Sequence, residues 1–455
     1  MMKMDFSFDI YQDPGRVINY LDKHLSFLPP DRAQYTEMLN KQKDDGFTFD
    51  RTLEELEKRT TDEYYRKVEA AQTHARRYAR KVFPAYEFIM PDAVTDDWLS
   101  AMDWHKKYPT RDHSLHQTLT AYIVSTLLGN GDPSKGLMLS EEDSLLSRCA
   151  KQMLEGQKMT YLRDYLKDID LDYEAHKNDY GYSWAVEVFY ETALLAAQFH
   201  DIGYPWQFIN TIANELKTAS YEKVSGILLD AVKAYDYVKD RLLIYPFFGY
   251  QEQDIKGKNN EKTDKAKSLL EKGTKKTHGL PGALGFMCLN DTIRKYGMTT
   301  HDFNEATNIL ILDWAAVGIM MHDMPGVYWG KSTETGEPEE PILRLDFETD
   351  PLSCIISMAD ILEEFERPLA FFDEKEDGDT RVKVGYRFFC KGSRIEMDGG
   401  RLKFIYYYGS EEERKDNNKR RVNEVNEYLN PINGYIDLSS WGIIDVTGET
   451  KVIAE

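Results

Sequence analysis

The sequence predicts a mainly α fold, a helical bundle carrying a small C-terminal α+β appendage. Three observations lead there. Between about residues 96 and 370, apolar stretches of helical length recur, with faces broad enough to be buried in a bundle rather than laid on a surface. Histidine and aspartate stand within or at the ends of these stretches. From about residue 380 the pattern changes to aromatic and β-branched residues that alternate or run together, as they do in strands.

Along the chain, residues 1–95 read as an N-terminal helical segment packing on the core, with a long charged helix over 52–83 that the 84–91 prolines break. The core spans 96–372. Its first apolar helix, 115–128, ends at the stop signal Gly129-Asn130-Gly131. Further helices are expected over 186–199, 281–293, 308–321 and 353–365. Two insertions interrupt the bundle. Residues 132–180 are polar and tyrosine-rich and read as a helical pair. Residues 206–276 end in a lysine-rich run, 251–276, with eight Lys against five acids, leading directly into His278. The appendage, 380–455, has strands over 381–390 and 402–408, a turn at Asp398-Gly399-Gly400, a charged helix over 411–429 and a last strand near 443–446.

Composition narrows the function. A net charge of −21 over 455 residues argues against non-specific binding to a nucleic-acid duplex, which needs a basic face. It leaves a phosphate substrate open, because bound metal ions supply positive charge that the overall balance hides. The four cysteines (Cys149, Cys288, Cys354, Cys390) are far apart with no CxxC spacing, so a reduced, cytoplasmic protein with ordinary core thiols is expected. No apolar run approaches the roughly 20 residues of a membrane span, and the first residues lack a signal-peptide core, so no membrane partner is expected.

The chemistry lies in the run 194–203, where an apolar helix delivers His200 and Asp201 side by side just before Gly203. A buried carboxylate costs several kcal/mol unless paired or bound to metal. Asp360, inside Ile355-Ile356-Ser357-Met358-Ala359-Asp360-Ile361-Leu362, poses the same problem, and His322-Asp323 repeats the helix-then-His-Asp arrangement. Among ten histidines, any single one is ordinarily a hydrogen-bonded core residue. Together His113, His200, His278, His322, Asp201 and Asp360 make four imidazoles and two carboxylates, a natural ligand set for two divalent transition metals. His116, one turn from His113, is an alternative ligand or a substrate contact.

In this order, His113-Ser114-Leu115, Phe199-His200-Asp201-Ile202-Gly203, His278 with Gly282-Ala283, His322 and Ala359-Asp360 resemble the HD-domain metal-dependent phosphohydrolases over roughly 105–370. The stretch 357–368 is similar to the corresponding segment of the HD-GYP phosphodiesterases. The resemblance implies an all-helical metal-binding core. It implies His113, His200, Asp201 and Asp360 as ligands of a first metal, with Asp201 bridging to a second held by His278 and His322. Tyr204-Pro205 stands where the HD-GYP branch has Lys, and His322-Asp323 where it has a His pair, so cyclic-dinucleotide hydrolysis is not carried over.

The implied function is hydrolysis of a phosphomonoester or phosphodiester bond, of a nucleotide by preference, by a metal-activated water at Asp201. Divalent ions (Mn, Fe, Ni, Co, Zn or Mg) are the expected cofactors. His116 or Asp323 would pass a proton to the leaving group or orient a ligand. Lys275, Lys276 and Arg367 would hold further phosphates, although Arg367 serves equally well in a salt bridge to a nearby Glu. The alternatives are an HD-type di-iron oxygenase using the same ligands and a non-catalytic nucleotide sensor. A homo-oligomer is compatible with the sequence.

Overall fold

The computed structural model describes residues 2–6, 113–169, 181–203, 241–242, 277–295, 304–323, 345–363, 367–374, 380–388, 390–429 and 434–453. Eight α-helices stand among them. The bundle is built from α1 (His113–Leu127), α2 (Leu145–Glu155), α3 (Thr160–Asp168), α4 (Tyr182–Phe199), α5 (Gly279–Lys295), α6 (Glu305–Met321) and α7 (Pro351–Leu362). α8 (Glu411–Leu429) belongs to the C-terminal part. The five expected core helices are all present, and α2 and α3 supply the helical pair expected within 132–180. Among the described residues, no helix is long and apolar enough to cross a membrane.

Helix starts follow capping chemistry. The side chains of Ser144, Asn304 and Asp350 accept from the backbone N–H of Ser147, Thr307 and Ser353 at 3.2, 2.8 and 3.0 Å. Each satisfies one of the donors that a first turn leaves free. Pro351 occupies the first turn of α7, where its missing N–H costs nothing. α4 and α6 are apolar on almost every side and are buried along nearly their whole length. α4 is the central helix, packed against α1, α2, α6 and α7, while α5 packs on α6 and meets the end of α4 through Phe286 against Phe199. A part-buried ion-pair network fastens the bundle: Arg241 donates to Asp313 at 2.6 Å and to Asp291 at 2.7 Å, and Tyr165 also donates to Asp313.

The C-terminal part holds a four-stranded sheet in the order β1 (Met2–Phe6), β5 (Cys390–Asp398), β6 (Arg401–Tyr408), β8 (Asp445–Val452). β1–β5 and β5–β6 pair antiparallel, β6–β8 parallel. One face, including Ile395, Met397, Leu402, Phe404 and Tyr406, is buried, and α8 packs over β8. The edge positions outside this face carry charge pairs such as Lys3–Glu396 at 3.3 Å. A second hairpin joins β3 (Arg367–Glu374) to β4 (Thr380–Phe388), and β2 (Leu345–Asp346) pairs parallel with β7 (Ile436–Asp437).

Three expectations change. Residues 2–6, placed in a helical N-terminal segment, form a strand, because their partner β5 offers an edge that no local pattern announces. The rest of that segment lies outside the described residues. The 372/380 boundary falls within a paired unit, since β3 hydrogen-bonds to β4. Cys149 and Cys354 are buried core thiols as expected, but Cys288 is exposed on α5.

Candidate metal centre

Two helices set the centre. α4 and α6 pass each other at Gly318, where a methyl group would stand 3.0 Å from Ala196 Cβ and 3.1 Å from Leu352 Cδ2 of α7. Glycine lets the three helices close to this distance without pushing Ala196 or Leu352 aside. The crossing lies one turn before both helices end. His200 and His322, the residues that cap them, therefore arrive side by side, with ring centroids 5.0 Å apart.

The last carbonyls of a helix lack intrahelical donors, and both imidazoles use this. His200 Nδ1 donates to Ala197 O at 2.7 Å and His322 Nδ1 to Ile319 O at 2.7 Å. A carbonyl only accepts, so the hydrogen sits on Nδ1 and Nε2 keeps a lone pair. Burial pulls the His200 pKa down to about 3 against the opposing charge of Asp201, with the His116 and His322 rings adding to the depression. His200 is thus neutral, the form that ligates metal.

The other two histidines are turned inward by carboxylates. On α1, His116 Nδ1 bonds Glu363, a fully buried residue just past the end of α7. At the start of α5, His278 Nδ1 lies 3.0 Å from Asp323 Oδ2. Asp323 Oδ2 also accepts from the backbone N–H of His278 at 2.9 Å and of Gly279 at 3.2 Å. Burial raises the Asp323 pKa, but the His278 ring, His322 and the Gly279 N–H outweigh it, and the carboxyl ends below its ordinary value.

Four Nε2 lone pairs thus converge, in two groups that share Asp201. In the first, His116 Nε2 lies 3.1 Å from His200 Nε2, 3.3 Å from Asp201 Oδ2 and 2.9 Å from Asp360 Oδ1. His200 Nε2 lies 3.3 Å from Asp201 Oδ1 and 3.8 Å from Asp360 Oδ1. In the second, His278 Nε2 lies 3.0 Å from both His322 Nε2 and Asp201 Oδ1, and His322 Nε2 lies 3.6 Å from that oxygen. The triads His116–His200–Asp201 and Asp201–His278–His322 are all buried.

This donor set fits divalent metal ions. Donors bound at about 2.0–2.2 Å to one ion stand about 2.9–3.6 Å apart for coordination angles between 90° and tetrahedral. All but one of the separations above fall in or at the edge of that range; His200–Asp360 is slightly longer. Lone pairs facing each other at such distances repel unless a cation lies between them. The backing of each ring by a carboxylate or a backbone carbonyl is the arrangement that fixes tautomer and direction in metal-ligating histidines.

No family model, curated protein or solved structure matches the chain.

The fold positions the shared carboxylate through Gly203. A Cβ there would fall 1.7 Å from His278 O and 2.7 Å from Gly282 N, so the turn after Asp201 lies backbone to backbone on the start of α5. Its role is this close approach, beyond the helix stop expected of it.

Of the expected residues, the structure brings together His200, Asp201, His278, His322 and Asp360. His116, rather than His113, is the histidine of α1 described in the cluster. Of His113, the first residue of α1, only the backbone is described. Both ring nitrogens of His116, considered as a proton carrier, are engaged, Nδ1 with Glu363 and Nε2 toward Asp201 and Asp360. Asp323, the other proton carrier considered, turns Oδ2 to His278 Nδ1 and to the backbone N–H groups of His278 and Gly279. Lys275 and Lys276 lie outside the described residues, as does the side chain of Arg367 at the start of β3. Glu363 is the functional residue that sequence reasoning missed. It lies just past the end of α7, and no local pattern sets it apart from a surface acid.

Proposed function

We propose that the chain is an HD-type metal-dependent phosphohydrolase that cleaves a phosphomonoester or phosphodiester bond, with a nucleotide as the favoured substrate class. The observation that carries this reading is the paired donor geometry: four inward Nε2 lone pairs in two groups joined by one buried carboxylate. Spacing of this kind suits two adjacent ions better than one. His116, His200, Asp201 and Asp360 would hold the first ion, and Asp201, His278 and His322 the second.

When bound, such a pair supplies charge neutralisation on phosphoryl oxygens and a water acidic enough to serve as nucleophile near neutral pH. The protein's own residues do the rest. Asp201 turns Oδ2 toward His116 and Oδ1 toward His200, His278 and His322, and so holds the two groups in fixed relation. Glu363 and Asp323 lock the rings of His116 and His278, so little reorganisation is needed when charge develops. The side chains of His116, His200, Asp201 and His322 are at most 1% exposed, whereas Asp360 is 28% and Asp323 17% exposed. A substrate therefore reaches the centre from the Asp360 and Asp323 side.

The test is a panel of phosphomonoesters and phosphodiesters assayed with Mn, Fe, Ni, Co, Zn and Mg, with Asp201→Ala as control. Metal-dependent phosphate release lost in Asp201→Ala is the expected result. Activity that survives the substitution would sink the reading. Bound iron whose spectrum responds to dioxygen, with no phosphate released from any substrate, would instead favour the oxygenase chemistry that the same imidazole-rich donors suit.

A further inference from the structure

The C-terminal sheet touches the metal centre through one helix end. α7 carries Asp360 in its last turn and is followed by Glu363, so its C-terminal end supplies the first group with a donor and with the residue that locks His116. Helix ends leave their last carbonyls without partners. Here the Ala359 carbonyl is taken by the Glu363 N–H at 3.0 Å. The next carbonyls are taken by the sheet: Tyr406 Oη donates to Ile361 O at 3.1 Å, and Ser393 Oγ to Leu362 O over a longer 3.5 Å.

The two sheet residues are not independent. Ser393 on β5 and Tyr406 on β6 are directly opposed in the antiparallel register and share the buried face. Tyr406 is fully buried, so the bond to Ile361 O is made away from water, where losing it is costly. Ile361, whose carbonyl it holds, lies between Asp360 and the Leu362-Glu363 step. A shift of that carbonyl moves the donor and the locking carboxylate together. Among the described residues the second group meets α7 one turn before its end, where Ser357 Oγ donates to the His322 carbonyl at 2.9 Å, while His278 and Asp323 border α5 and α6.

Resting on the reading of the two donor groups as metal sites, we propose that Tyr406 is a positioning residue for the first group. The C-terminal sheet is then part of the metal centre's support and not only an appended module. Through the α7 end, a change in the sheet acts directly on the first group and reaches the second only by way of Ser357 and the shared Asp201.

The test uses the full chain in two backgrounds, His322→Ala, which keeps the first group intact, and His116→Ala, which keeps the second. Cobalt(II) is titrated into each by calorimetry, with and without Tyr406→Phe. One lost hydrogen bond at a helix end is expected to weaken the first group about three- to tenfold and the second by clearly less. Ser393→Ala, the milder change, should act in the same direction and carries the test if Tyr406→Phe does not fold. Equal weakening of both groups, or of neither, overturns the proposal. A parent chain that binds no cobalt overturns the metal reading itself, and the inference with it, and is told apart by that result.

Discussion

Gly203→Ala probes how the two donor groups are joined. The added methyl would sit 1.7 Å from His278 O, while real Cβ contacts essentially never fall below 3.0 Å. The opposing atom is backbone, so no rotamer change relieves the clash, and the turn after Asp201 must part from α5 by more than about 1 Å. Asp201 Oδ1 and His278 Nε2 are 3.0 Å apart, and an opening of that size removes them from a common ion. The first group is disturbed less, because three of its donors, His116, His200 and Asp360, come from α1, α4 and α7 and only the shared Asp201 lies beside the turn. We expect cobalt stoichiometry by calorimetry to fall from two to one. Overpacking of this kind costs about 1–3 kcal/mol, a loss of several degrees in the thermal midpoint. A Gly203→Ala chain that binds two ions with parental affinity and melts at the parental temperature would refute the reasoning.

Two further predictions follow from the supports of the centre and of α7. Glu363→Gln, which keeps an acceptor for His116 Nδ1 but removes the buried charge, should weaken cobalt binding in the first group by about tenfold or more. Unchanged binding there would show that Glu363 does not orient the ligand. The Asp350 carboxyl is pushed up to about 6 by burial, with the hydrogen bonds from Ser353 opposing, from an ordinary 3.8. The folded chain therefore keeps a proton that the unfolded chain has lost, and this contribution to stability is full below about pH 4 and lost as pH rises through about 6. Asp350→Asn preserves the cap to the Ser353 N–H and should raise the melting temperature at pH 7.5 but not at pH 4. A parental pH slope in that variant would exclude the buried carboxyl as its source.

The helices were legible because their chemistry is local. α4 and α6 are apolar nearly all round, which marks a buried helix whatever surrounds it, and the helix at 411–429 was readable to its bounds. The strands β1 and β5 were not. β1 has only five residues, and its partner lies nearly 400 residues away in the chain. In β5, Gly392 and Ser393 interrupt the alternation that Ile395 and Met397 begin. For the site, imidazoles and carboxylates on apolar helices stood out against their neighbours. His113 and His116 could not be separated by spacing, because residues three apart share a helix face. What distinguishes His116 is its contact with Glu363, 247 residues away. Glu363 itself reads as a surface acid at a helix end, and only tertiary packing buries it.

The hydrogen bond from Tyr406 to Ile361 also sets a schedule. About 290 residues separate His116 from Tyr406 along the chain. At roughly 5–20 residues per second of synthesis, the first imidazole waits on the order of 15–60 s before the last support of its group has been made. Through that interval, the nascent chain offers partial donor sets in which geometry cannot yet discriminate, and an incomplete set of imidazoles favours whichever ion ranks highest in intrinsic affinity. Selection among ions thus falls to the finished fold, and an ion taken up early must be exchanged or kept as a fault.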